Sequence, residues 1–151
     1  MSPPTDLGDL GIILNILEFI GTIWEYTKDM KNNTKIHDIP DYEKYDSGYF
    51  SDSDKNSLLF ASYNNGLNYN ASLNLLQCIS ENVKVLSDEI KDENIQINWH
   101  YLLNLRNQTI YNNIGTNTVK TLKIIDKDLK YFYDQFINLI RNNIQYYESL
   151  V

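Results

Sequence analysis

One cysteine, two histidines, two arginines and three prolines in a chain of 151 residues set the first limits on this protein. The lone Cys78 cannot form an internal disulfide, and beside Ile79 in an apolar stripe it reads as a buried, inert thiol. His37 and His100 stand far from each other and from Cys78, so no metal-ligand spacing exists and no metal is expected. There is no glycine-rich phosphate loop and no nucleophile elbow, which removes the common routes to nucleotide binding and acyl transfer. We therefore expect no cofactor, no catalytic residues and no enzyme. Twenty acids against thirteen bases give a net charge of −7. That balance opposes nucleic acid, whose phosphates require concentrated Lys or Arg. The first residues, Met1 to Asp6, lack the basic n-region of a secretory leader, so the expected location is cytoplasmic, intracellular and not secreted.

What is present is a strongly apolar N-terminal segment. Leu10, Ile12, Ile13, Leu14, Ile16, Leu17, Phe19, Ile20, Ile23 and Trp24 fall within fifteen residues. At 100° per residue Gly11, Asn15, Glu18, Thr22 and Glu25 gather into one strip and the apolar side chains occupy the rest. A helix apolar over about two thirds of its circumference is the central element of a helical domain or a segment able to enter a membrane. The run is shorter than the roughly 20 residues that span a bilayer, and Asn15 and Glu18 interrupt it. The central role is the expectation, with Leu17 enclosed.

The chain reads as one all-α domain over 1–151, a bundle of four to six helices with this central first helix and a long last one. The first helix should span about Leu7 to Met30, with Thr5 or Asp6 as cap and Asp9 in the first turn. From 32 to 54 no period survives, and Pro40, Gly48 and Asn, Asp and Ser clusters predict a flexible acidic loop. A second helical region begins near Asp54 and stalls at Asn64-Asn65-Gly66. A better helix, capped by Asn70 or Ser72, carries Leu75 or Leu76, Ile79, Val83, Leu86 and Ile90 and breaks at Asp92-Glu93-Asn94. Another runs from about Asn98 to Asn113 with Trp99, Leu102, Leu103, Leu105 and Ile110. The last, Asn117 to about Tyr147, sets Leu122, Ile125, Leu129, Phe132, Phe136 and Leu139 on one stripe. Tyr133, Ile137, Ile140, Ile144 and Tyr147 form the next.

Short motifs add candidates of low information. Asp52-Ser53-Asp54-Lys55-Asn56 opens like an EF-hand loop, but Ser57 and Tyr63 occupy the positions of the turn glycine and the closing glutamate. Asp46-Ser47-Gly48-Tyr49-Phe50-Ser51 resembles a phosphodegron recognised by WD40-type ubiquitin-ligase receptors, making Ser47 and Ser51 candidate phosphorylation sites. Three Asn-X-Ser/Thr sequons, at Asn32, Asn70 and Asn107, match the number expected by chance in so Asn-rich a chain.

The order of elements, an apolar first helix, a long polar loop, shorter helices and then Asp88-Glu89 followed by Asn98-Trp99, resembles the Bcl family of apoptosis regulators and their viral relatives. In that family an Asn-Trp-Gly-Arg motif opens a central helix and helps form a groove for an amphipathic peptide helix. Asn98 and Trp99 match; His100 and Tyr101 replace the Gly and Arg, and Arg106 is no evident substitute for the missing arginine. Leu10-Gly11-Ile12-Ile13 through Tyr26 is similar to fungal HeLo-type domains, which implies a first helix released to permeabilise membranes.

The expected function is thus a non-enzymatic, helical protein–protein interaction or regulatory module that binds a protein partner, with helix-in-groove recognition as the leading mode. Trp99, Tyr101, Tyr133, Tyr146 and Tyr147 are the partner-binding candidates, since aromatics supply large contact area at low entropic cost. The alternative is a membrane-active, pore-forming domain using the N-terminal helix. Homo-oligomerisation is compatible with either.

Overall fold

A computed structural model describes residues 7–32, 66–105, 121 and 123–149. Among them the chain is all-α: α1 (Leu7–Asn32), α2 (Gly66–Val85), α3 (Asp88–Glu93), α4 (Trp99–Leu103), a π turn (Ile124–Asp128) and α5 (Leu129–Ser149). Helix α1 packs most extensively against α2 and also meets the π turn and α5, while α4 lies on α2.

The spacing of apolar residues on α1 explains its central place. Ile13, Ile16, Leu17, Ile20 and Ile23 repeat by three and four and are all buried. They meet Leu76, Ile79 and Val83 of α2 and Ile125, Leu129, Phe132, Phe136 and Leu139 of the C-terminal segment in one continuous core. The predicted polar strip faces outward at Gly11, Asn15, Glu18 and Glu25. Leu14 joins that strip, with 56% of its surface exposed, so the outward arc is wider than the polar residues alone. A Cβ added at Gly11 or Gly21 would meet nothing, so close packing does not require either glycine.

Several element boundaries differ from the sequence reading. Helix α2 begins at Gly66, and Ser72, expected as a cap, is buried within it. The stripe from Leu76 to Ile90 is buried throughout, but one helix does not carry it: the chain breaks at Leu86 and Ser87 and restarts as α3. Ser87 causes the restart. Its extended backbone and its hydroxyl, which accepts from the Ile90 N–H at 3.2 Å, make it the cap of α3. Its own N–H and hydroxyl donate to the Asp9 carboxylate at 3.0 and 2.5 Å. Asp9 is thereby only 5% exposed, and it ties the start of α1 to the start of α3.

The helix expected from Asn98 to Asn113 is α4, capped by the Asn98 side chain on the Tyr101 N–H and ended at Asn104. Asn104 stops it by turning its N–H to the Tyr101 carbonyl and its side-chain amide to the His100 carbonyl at 2.8 Å. The last helix is interrupted as well. At the π turn the Leu129 N–H donates to the Ile124 carbonyl, five residues back, and the extra residue places both Ile124 and Ile125 in the core. The flexible loop predicted over 32–54 lies outside the described residues apart from Asn32, which closes α1, as does the helical region near Asp54.

Candidate functional site

The half of the molecule away from the α1–α2 contact is an aromatic seam. The π turn and α5 present Asp128, Phe132 and Phe136 at a spacing of four, and Tyr101 and Trp99 of α4 meet them. The Tyr101 ring stacks on Phe132 at 5.4 Å between centroids, and its hydroxyl donates to the Asp128 carboxylate. Burial pushes the Tyr101 hydroxyl far above the ordinary tyrosine range, and the hydrogen bond and charge of Asp128 add to that shift. Trp99 meets Phe136 at 6.0 Å, and its indole N–H is shared by the Lys91 and Asn94 carbonyls at 3.2 and 3.1 Å. Those two carbonyls belong to the C-terminal end of α3, so Trp99 caps α3 from outside.

On the α1 side, Trp24 lies 5.2 Å from the Tyr133 ring and donates its indole N–H to the Ile125 carbonyl at 2.8 Å. A π turn widens the helical ladder by one residue and frees a carbonyl, and here an indole from the neighbouring helix takes up Ile125. The π turn is therefore held from both flanks, by Trp24 of α1 and by Tyr101 of α4. Ser80 completes the frame, its buried hydroxyl donating to the Leu102 carbonyl at 2.7 Å and fixing α4 to α2.

The aromatic candidates from sequence are thus placed as follows. Trp99, Tyr101 and Tyr133 are half-buried, and each is engaged within the chain. The polar tips of Trp99 and Tyr101 have internal partners, so their rings are drawn into the seam. Tyr146 and Tyr147 lie in the last turns of α5, and their side chains, with Ser47, Ser51, His37 and Arg106, lie outside the described residues. His100 is exposed on α4, and Cys78 is a free thiol at an intermediate depth, less enclosed than its apolar stripe suggested. Among the described residues no three His, Cys, Asp or Glu side chains converge as metal ligands would.

The open surface belongs to other residues. Ile95, in the turn between α3 and α4, is 82% exposed, and Tyr131 of α5 is 59% exposed. Gln135 links the segments that carry them. Its amide nitrogen lies 3.4 Å from the Gln96 carbonyl and 3.3 Å from the Tyr131 hydroxyl. The Gln135 amide oxygen is buried without a hydrogen-bond partner, a condition that costs about 1–3 kcal/mol. Exchanging the amide's two ends would let Tyr131 donate to the oxygen but would abandon the Gln96 carbonyl. Tyr131 itself sits edge-on to Phe132 at 5.8 Å, so its ring rests directly on the aromatic seam. Neither Ile95 nor Tyr131 was legible as a site residue: Ile95 falls in a break between periods, and Tyr131 lies beside both apolar stripes of α5.

No protein-family model, curated protein or solved structure matches the chain, which leaves its own geometry as the basis for function.

Proposed function

We propose that the chain is a non-enzymatic helical interaction module that binds a protein partner through the edge formed by Ile95 and Tyr131. The observation that carries this reading is the exposure of two large side chains, Ile95 and Tyr131, on segments that Gln135 links, with Tyr131 resting on Phe132. Exposed apolar groups held on a pre-organised scaffold bind with little ordering cost, which is the property of effective interface anchors. The enclosed acids support a structural use of polar groups: Asp9 holds Ser87, and Asp128 holds Tyr101.

The test is photocrosslinking in extract of the cells that naturally make the chain, with a benzophenone amino acid at position 95, 131 or 18. Position 18 is on the outward face of α1 and serves as the control. A discrete adduct from 95 and 131, absent from 18, is expected. Adducts from 18 alone, or none from 95 and 131, would refute the reading.

One observation favours a second reading. Gly8–Lys28 of α1, 21 residues, is long and apolar enough by length and composition to cross a membrane, and 33% of its most apolar window is buried. A membrane-active domain would release α1 from α2 into lipid. The intact chain added to dye-loaded zwitterionic vesicles distinguishes the readings. The interaction module leaves the dye enclosed, and the membrane-active domain leaks it.

A further inference from the structure

We propose that the π turn is a register switch set by Trp24. With the indole on the Ile125 carbonyl the C-terminal segment keeps its extra residue, and without it the segment returns to a regular α-helix. The first support is one carbonyl with two alternative donors. In an α-helix each N–H bonds the carbonyl four residues back, so the Leu129 N–H would belong to Ile125. It donates instead to Ile124, five back. The Ile125 carbonyl is taken by the Trp24 indole N–H of α1, at 2.8 Å.

The second support is that the two ends of the turn answer to different neighbours. Beyond it, α5 is fixed by buried Phe132, Phe136 and Leu139, and Asp128 accepts from Tyr101. Before it, Thr121, Ile124 and Ile125 are buried, while Lys123 between them is half-exposed. Return to α register with α5 held would advance the residues before the turn by one place, about 100° around the axis and about 1.5 Å along it. Ile125 would take the place of Ile124, and Ile124 the half-exposed place of Lys123. The Ile125 carbonyl would then leave the indole, whose ring is anchored on Tyr133 of α5 at 5.2 Å and does not follow. The π register therefore gains a second buried isoleucine and a bond to α1, and the α register gains a regular backbone bond and turns Ile124 outward. Wide turns of this kind are rare in regular helices, so the compensating contacts decide between the two states. The turn converts the position of one α1 side chain into the burial or exposure of an isoleucine on another segment, which is the behaviour of a two-state coupling element. The switch stands whether or not the Ile95–Tyr131 edge binds a partner.

The experiment is Trp24→Phe in the full chain, which keeps a ring against Tyr133 and removes the N–H donor. Scalar couplings across hydrogen bonds, from amide nitrogen to carbonyl carbon, read the register directly. In the native chain Leu129 should couple to Ile124. In Trp24→Phe it should couple to Ile125, and the Ile124 methyls, protected in the native chain, should gain relaxation from a soluble paramagnetic agent. A Leu129–Ile124 coupling that persists in the variant, or Ile124 methyls that stay protected, overturns the switch. Should the variant fail to fold, relaxation dispersion on the native chain carries the test. One common exchange rate for the amides of 124–129 and the Trp24 indole N–H is the expected result, and flat profiles at these sites overturn the proposal.

Discussion

The two sides of the core are built from different materials. Between α1 and α2 the contact is aliphatic: Ile13, Ile16, Ile20 and Ile23 face Leu76, Ile79 and Val83 in one buried cluster. Between α4 and α5 it is aromatic and hydrogen-bonded, with Tyr101 on Phe132 and Asp128, and Trp99 on Phe136 and the end of α3. Aliphatic contact is non-directional and scales with the area removed from water. The aromatic seam adds polar tips that accept only one arrangement, so it fixes where α4 sits as well as holding it. The aliphatic side supplies stability and the aromatic side supplies position, and the exposed Tyr131 belongs to the positioned side.

The largest effect should come from removing the ring on which the seam rests. Phe136 is fully buried, and Phe136→Ala should cost about 3–5 kcal/mol in urea unfolding. Ile20 is its counterpart on the aliphatic side, also fully buried, and truncating it to Ala should cost about 2–5 kcal/mol. The comparison sharpens in their side effects. Ile20→Ala should leave the near-ultraviolet aromatic signal of the folded state unchanged, whereas Phe136→Ala should alter it through Trp99.

Tyr101→Phe removes one hydroxyl and leaves the Asp128 carboxylate without that donor, at a cost of about 1–3 kcal/mol. Its pH signature is specific. The folded state raises the Tyr101 hydroxyl above its unfolded value of about 10, so this contribution is fully present below that pH. It is lost as pH climbs above it, because the unfolded chain releases the proton first. Stability of the native chain should therefore fall above about pH 10 more steeply than that of Tyr101→Phe. Parallel curves would place the tyrosine outside the seam.

The smallest effect has the opposite sign. Gly21 lies inside α1 with open space where a Cβ would go, so Gly21→Ala should stabilise by about 0.5–1 kcal/mol in the same unfolding assay. Destabilisation would mean that something covers that face of α1.

The aliphatic side was legible in the sequence because period and burial coincide. Leu76, Ile79, Val83, Leu86 and Ile90 are residues that spacing selects, and all are buried; of the ten apolar residues read on α1, Ile13, Ile16, Leu17, Ile20 and Ile23 are buried and Leu14 is 56% exposed. The aromatic side was legible only as composition. Trp99, Tyr101 and Tyr133 stand out in the chain, but whether such a ring faces solvent depends on where its N–H or O–H finds a partner. Those partners lie far off in sequence: Asp128 for Tyr101, and for Trp24 the Ile125 carbonyl. Asp9 read as a dipole-favouring acid in a first turn, and its link to Ser87 across 78 positions has no local signal. The π turn was hidden because Ile125, Leu129, Phe132 and Phe136 keep three-and-four spacing through it, and only the burial of Ile124 beside Ile125 betrays the extra residue.

The central claim is that α1 is an integral part of the core and opens only when the whole fold does. Native-state hydrogen exchange tests it directly by comparing the amides of Ile16, Ile20 and Ile23 on α1 with those of Ile79 and Val83 on α2. The account predicts one opening free energy for both sets, equal to that of global unfolding. Exchange of the α1 amides at about 2 kcal/mol or more below those of α2 would show that α1 leaves a still-folded remainder, and would contradict it.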